Sequence, residues 1–323
     1  MTKAFDQRVP QQIFIHPAAI THVESTGPVK FMQQVTVRVP GSTSNLGPGF
    51  DCLGVALRIY SHVTVVRGGK FRHPPIVREA ARLFFARARR APFSFSASIQ
   101  SGVPPSRGLG SSAAIRLGIL HALNRLSGSP LDRLSIFHLS AELEGHPDNA
   151  APASFGGFTV VRDKNIHRFD VSDHLHFVLL VPDFEIKTSA ARDILPSRIA
   201  RAGAVESCAN ACAITAAFAS RNYSGLKGAF ADQFHQPFRQ KLIPFLPRVV
   251  AAAEKAGALG AFLSGSGSTI AAITLQDRHK VAAAMERAAR STSAHVILTT
   301  VDNEGIQIKP RTSNIKHHHV PLA

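Results

Sequence analysis

Residues 103 to 114, Val-Pro-Pro-Ser-Arg-Gly-Leu-Gly-Ser-Ser-Ala-Ala, run straight into the apolar stretch Ile-Arg-Leu-Gly-Ile-Leu-His-Ala-Leu. A glycine and serine turn thus opens directly onto a helix N-terminus, and this junction constrains the chain more than any other segment. The first helical turn presents unpaired N–H groups and the positive end of the helix dipole, so it is built to hold an anion. Gly108 and Gly110 allow close backbone approach, and Ser111 and Ser112 add hydroxyls that bond phosphate or a magnesium ion. Pro104, Pro105, Ser106, Arg107, Gly108, Leu109, Gly110, Ser111, Ser112, Ala113 and Ala114 together form the candidate nucleotide-phosphate loop.

Two commoner phosphate motifs fit this loop less well. The P-loop needs a lysine after its last glycine, where Ser111 stands. Gly108-x-Gly110-x-x-Ala113 satisfies the loose dinucleotide pattern, but about 20 residues on, where a second strand should carry a ribose-binding acid, Leu131 to Glu144 reads as helix.

The length of 323 residues suggests two lobes around a sizeable core, and the 45% hydrophobic content fits a globular enzyme. No uninterrupted apolar run approaches the ~20 residues of a membrane span. The best N-terminal run, Ile13 to Val23, is broken by His16, Pro17 and His22, unlike a signal peptide. Cys52, Cys208 and Cys212 form no Cys-x-x-Cys pair, which argues against a disulfide scaffold or zinc ribbon and for a reducing cytoplasm. Cys208 and Cys212, at i and i+4, read as small core packing.

The 37 Lys plus Arg against 21 Asp plus Glu give a formal charge of +16, which attracts polyanions. The arginines are scattered, densest at Arg78, Arg82, Arg87, Arg89 and Arg90, without the interleaved aromatics of an RNA-stacking surface. The reading is a basic enzyme surface, with neither nucleic acid nor membrane as partner. A nucleic-acid-binding protein would explain the charge but leave the phosphate loop without a role.

Residues 1 to 34 show no periodicity and read as a poorly ordered extension, with Met32 as an alternative start. Strands are expected at Val35 to Val39, Val55 to Val66, Phe93 to Ile99, Phe155 to Val161 and His176 to Val181. Helices are expected from the phosphate loop to Leu126 and over Leu131 to Glu144. From Arg201 the chain turns to alanine-rich helix. A helix at Arg248 to Ala256, strands at Ala258 to Leu263 and Thr269 to Leu275, a helix at Gln276 to Arg290 and strands at His295 to Val301 and Ile306 to Ile308 complete a small second lobe. Lys316-His-His-His319 reads as a solvated tail, part of a basic segment from 311 to 323. Strand clusters and helices without strict βαβ alternation indicate an α+β fold.

Two further clusters flank the phosphate loop in sequence, Pro40-Gly-Ser-Thr-Ser-Asn-Leu-Gly-Pro-Gly-Phe-Asp51 and Ser264-Gly-Ser-Gly-Ser-Thr269. Together the three resemble the signature motifs of the GHMP kinases. Within that superfamily, Asn45 to Asp51, Glu144-Gly-His-Pro-Asp-Asn149, Lys187-Thr-Ser-Ala-Ala-Arg192 and His235-Gln-Pro-Phe-Arg239 are most similar to the homoserine kinases. The resemblance spans about residues 35 to 305. Gly41 and Ser42 depart from its usual alanine and threonine, and Ser268 from its proline.

The resemblance implies a GHMP kinase fold, with an ATP-binding lobe like ribosomal protein S5 domain 2 over 35 to 195 and a ferredoxin-like lobe over 196 to 310. It implies ATP and Mg2+ as cofactors, L-homoserine as acceptor, phosphorylation on the route to threonine, and a homodimer. Threonine or a mevalonate derivative is the alternative acceptor. Magnesium falls to Ser112 and a glutamate on the following helix, here Glu142 with Glu144 as rival. Arg192 and Arg239 would clamp the acceptor carboxylate, since a guanidinium fork matches it. Asp51 would meet the ammonium, and Asn45, His146 and Asn149 would surround the hydroxyl. Asp148 and Asn149 are the candidate catalytic residues. Asp148 reads equally as a base near the hydroxyl or as the residue that holds its turn.

Overall fold

Val35, Val37 and Val39 alternate onto one buried face of β1 (Gln34–Asn45), which turns at Leu46 to Pro48 into the long antiparallel β2 (Gly49–Arg67). In this computed structural model residues 33–69, 71–290 and 292–309 are described. Met32, nearly all of the expected 1–34 extension and the basic 311–323 tail lie outside them. The valine alternation matches the reading, but both strands run further than it indicated. The Gly-Ser-Thr-Ser-Asn cluster continues β1 with two register shifts, between Pro40 and Gly41 and between Ser44 and Asn45.

The first sheet runs β10-β1-β2-β4-β5, with β3 (Phe95–Ser101) also on β2, β4 at Phe158–Arg162, β5 at Asn165–Phe169 and β10 at Gln307–Lys309. Its helical layer comprises α1 (Pro75–Ala88), α2 (Ser111–Leu126), α3 (Arg133–Glu144) and α4 (Ala150–Phe155). Helix α1 was not expected. Its proline at the first helical position and its buried Val77, Ala80, Ala81, Phe84 and Phe85 recur at helical spacing between the arginines that drew attention instead.

Helix α2 is apolar on every side, and 12 of its 16 residues are buried. That burial matters for function, because a helix gripped all round by its neighbours holds its N-terminus rigidly in place.

The second sheet runs β7-β8-β6-β9, from β6 (His176–Pro182), β7 (Gly260–Leu263), β8 (Ile270–Thr274) and β9 (Ala294–Thr300). It carries α8 (Leu246–Lys255) and α9 (Arg278–Ala289) on one face. Its other face joins the first sheet in one core, where Leu53, Val55 and Leu57 meet Phe177, Leu179 and Phe262. The change of sheet therefore falls before His176, well ahead of the expected 195/196 division. The 307–309 strand returns to the first sheet, against Thr36 to Arg38.

Short helices α5 (Thr188–Asp193) and α7 (Gln236–Arg239) bracket the long α6 (Arg201–Ser220). Helix α6 buries only Ser207, Ile214, Ala217 and Phe218. Cys208 and Cys212 are exposed on it, which corrects the expectation of core packing. The apolar composition that suggested burial is shared by both faces of this helix, so composition could not choose between them. By length and composition alone α6 could cross a membrane.

Candidate active site

The three glycine clusters are stitched together by main-chain and hydroxyl hydrogen bonds. Ser42 N donates to Leu109 O at 3.0 Å, Gly265 N to Ser44 O at 3.1 Å and Thr269 N to Arg107 O at 3.2 Å. The Thr43 and Ser264 hydroxyls meet at 2.8 Å, and Ser264 Oγ donates to Gly108 O at 2.6 Å. Packing this close excludes side chains. A Cβ at Gly108 would stand 2.1 Å from Ser264 O, and one at Gly110 2.2 Å from Ser42 Oγ, both at positive φ. The glycines are thus required by neighbouring chain as well as by the turn.

Gly110, at φ 70°, leads directly into α2 with no side-chain cap. The N–H groups of Ser111, Ser112 and Ala113 therefore remain available, as the sequence indicated. They open into a cleft of about 720 Å³, solvent included, lined also by Asn45, Asp51, Glu144, His146, Asp148, Asn149, Lys187, Arg192 and Arg239. Arg107 is held at the rim differently from its neighbours. Its guanidinium donates to Pro182 O at 2.7 Å, Asp183 O at 2.5 Å and Pro105 O at 3.2 Å, tying the loop to the end of β6.

The glutamate that meets Ser112 is Glu144, whose Oε1 accepts the Ser112 hydroxyl at 2.7 Å. Glu142 points outward and pairs with Arg87 at 3.2 Å. This corrects the expected assignment of Glu142, and the reason is helical phase. Residues two apart lie about 200° apart around a helix, whereas Glu144 lies one turn beyond the buried Ser140. That phase was legible in the sequence.

Asp148 is 2% exposed and anchors the wall opposite. Its Oδ1 accepts His146 Nδ1 at 2.7 Å and Asn149 N at 2.9 Å. Burial pushes the Asp148 carboxyl up, but these bonds and the His146 charge outweigh it, and the net shift is downward. For His146 burial pulls down, the bond to Asp148 pulls up, and the net shift is upward. Both shifts favour an ion pair. The Asn149 amide is engaged by β1: its Oδ1 accepts Ser42 Oγ at 2.8 Å and its Nδ2 donates to Ser44 Oγ at 2.9 Å. Asn45 is likewise committed, bonding Asp51 N and Gly265 O at 3.0 Å each.

Arg192, from α5, and Arg239, from α7, converge as expected despite their separation in sequence. Their guanidinium carbons lie 5.5 and 5.3 Å from the Phe50 ring centre. Arg239 is fully buried and fixed by Ala191 O and Gly265 O, 3.0 Å each, and by His235 Nδ1 at 3.2 Å. Burial, with the nearby Arg192 charge, pulls its pKa down to about 10, so it stays cationic at neutral pH. Burial also holds His235 neutral, its pKa pulled down to about 4. Its Nε2 donates to Gly47 O at 2.9 Å, which leaves Nδ1 to accept from Arg239. The contacts of Phe50 with both arginines are long-range and carry no local signal, whereas His235 lies four residues before Arg239 and its contact follows from helical spacing.

The family model for the N-terminal domain of GHMP kinases matches residues 75–157, and the model for their C-terminal domain matches 215–291. The homoserine kinase of Caldicellulosiruptor bescii is 38% identical over 257 residues, 74% of this chain and 84% of that one. The homoserine kinase of Synechococcus sp. is 36% identical over 305 residues, 87% of this chain and all of the relative. The crystal structure of homoserine kinase from Cytophaga hutchinsonii superposes with a TM-score of 0.79 at 26% identity, covering 90% of this chain and all of that one. With the interlocked glycine loops and the converging arginines, these likenesses establish that the chain belongs to the homoserine kinase family of the GHMP kinases.

Proposed function

We propose that the chain transfers the γ-phosphate of ATP to the hydroxyl of L-homoserine, giving O-phospho-L-homoserine. The observation that carries this reading is the meeting of Arg192, Arg239 and Asp51 at the cleft that also takes the N-terminus of α2. A carboxylate, an ammonium and a phosphate group would each find an opposite charge there. A mevalonate-type acceptor has no ammonium and would leave Asp51 without a ligand.

Phosphoryl transfer asks a protein chiefly for in-line positioning and charge compensation. The α2 N–H groups would hold the nucleotide phosphates. Ser112 and Glu144 offer two hard oxygen donors side by side, which fits magnesium, and they would hold it. Magnesium bound there supplies charge compensation on the phosphate oxygens. Arg239 is a fixed donor for the acceptor carboxylate, whereas Arg192 must first loosen from Asp51. A zwitterion entering between those two replaces one ion pair with two.

The downward shift of Asp148 makes it a weak proton acceptor, and its Oδ1 is already filled. Asp148 therefore orients His146 and the turn, and transfer proceeds without a dedicated base. Phosphorus NMR of the reaction mixture tests the assignment. A homoserine phosphate ester is expected, and ATP consumed with only inorganic phosphate formed would overturn it.

A further inference from the structure

Glu144 has a second partner. The oxygen that accepts Ser112 also pairs with Arg116 Nη1, while Oε2 takes no hydrogen bond among the described residues. Arg116 lies one helical turn beyond Ser112 on α2, so both reach the same carboxylate. Its side chain is 14% exposed, approaches Glu79 at 3.5 Å and does not line the cleft. It therefore stands behind Glu144, out of the set of groups that face the nucleotide.

The neighbouring acids follow one pattern. All three carboxylates that line the cleft have a cationic partner: Glu144 has Arg116, Asp51 has Arg192 and Asp148 has His146. Without nucleotide the cleft thus offers a divalent cation hard oxygens but no net negative charge, since Arg107, Lys187 and Arg239 line it as well. A guanidinium does not lose its proton in a protein, so the pairing at Glu144 cannot relax by deprotonation. A fixed positive charge one residue away repels a divalent cation even at the effective dielectric of a protein surface.

We propose that Arg116 is a charge gate on the cation site: it neutralises Glu144 in the nucleotide-free protein, so that a divalent cation binds only when nucleotide phosphates bring their own negative charge. The inference rests on Ser112 and Glu144 as the cation ligands, as given under Proposed function. Arg116 is in this sense a positioning residue that acts through Glu144. A purely structural role, clamping α1, α2 and α3 through Glu79 and Glu144, would leave the cation's affinity insensitive to the charge at position 116.

Mn2+ binding, read by electron paramagnetic resonance of the free ion with and without ADP, distinguishes the two. Wild type is expected to bind Mn2+ weakly alone and firmly with ADP. R116M should bind Mn2+ without nucleotide roughly tenfold more tightly or better. R116Q still donates a hydrogen bond to Glu144 without the charge. It should behave as R116M, and it stands in if the methionine variant does not fold by circular dichroism. R116K should stay near wild type, and adding E144Q to R116M should abolish the gain. Unchanged or weaker nucleotide-free binding in R116M and R116Q overturns the gate, as does a gain in R116K equal to theirs. If E144Q alone leaves Mn2+ binding with ADP at wild-type strength, Glu144 is not a ligand, and the cation-site reading falls together with the gate. If E144Q abolishes that binding while R116M and R116Q match wild type, the gate alone falls.

Discussion

Asp51 and Arg192 hold each other through two parallel hydrogen bonds of 2.6 and 3.0 Å on the wall of the cleft. Both are about one-third exposed, which leaves the pair open to solvent from the cleft. The bond to Asp51 holds Arg192 above its ordinary pKa, and a guanidinium keeps its charge when the pair opens because its ordinary pKa already lies far above neutral.

Arg192→Ala should cost the 1.5 to 3 kcal/mol typical of a charged hydrogen bond, roughly 10- to 150-fold in kcat/KM for homoserine, and leave the KM for ATP nearly unchanged. Arg192→Lys should recover only part, since a point charge does not reproduce the fork. Arg239→Ala should show the same acceptor defect plus lost stability, of the order of 1 to 3 kcal/mol for the carbonyl left unpaired at Ala191, since Gly265 O keeps its bond from Asn45. Steady-state kinetics and denaturant melts separate the two effects.

Glu144→Gln should lower kcat by orders of magnitude, whereas Glu142→Gln, which breaks only an exposed pair with Arg87, should stay within a few-fold of wild type. The reverse ranking in a kcat comparison would mean that the helical phase of α3 had been misassigned.

Acid should weaken the fold through buried neutral histidines. Burial first, and the Arg133 charge second, pull His121 down to about 3, and its Nε2 has no hydrogen-bond partner. The unfolded chain protonates this group near pH 6.5, so between about pH 6.5 and 3 the unfolded state binds more protons. Stability then falls as pH falls, by about 1.4 kcal/mol per unit from this group. His121→Leu should flatten the stability profile across that window in urea melts at pH 7 and 5. An equal slope in the variant would contradict the assignment.

The His146 and Asp148 pair has the opposite sign on its basic side. A raised histidine pKa contributes stability that is complete below pH 6.5 and lost as pH rises through the folded value. The lowered Asp148 pKa adds stability present above about pH 4 and lost in stronger acid. His146→Gln should therefore cost most near pH 5 to 6 and progressively less above pH 7. A cost independent of pH would mean that the imidazole titrates alike in the folded and unfolded chain, and a cost that grows as pH rises would mean that it is held neutral.

The parts of this site that were readable from sequence are those made locally. The loop at Gly108 to Ser112, the helix it opens and the valine face of β1 depend on neighbours within a few residues. Arg192 and Arg239 could be chosen only by resemblance, since nothing within α5 or α7 indicates that both flank Phe50. The sheet exchange of β6 and β10 was hidden for the same reason, because strand partners are set by contacts between distant segments. Glu144 was the exception, since helical spacing alone puts it and Glu142 on different faces of α3.

The proposed function requires that this cleft select homoserine over other amino-acid alcohols as well as over mevalonate. Coupled ADP release with homoserine, threonine, serine and mevalonate at saturating ATP and magnesium tests it most directly. The highest kcat/KM is expected for homoserine, with mevalonate last because it brings no ammonium to Asp51. An equal or higher kcat/KM for any other acceptor in the panel would contradict it.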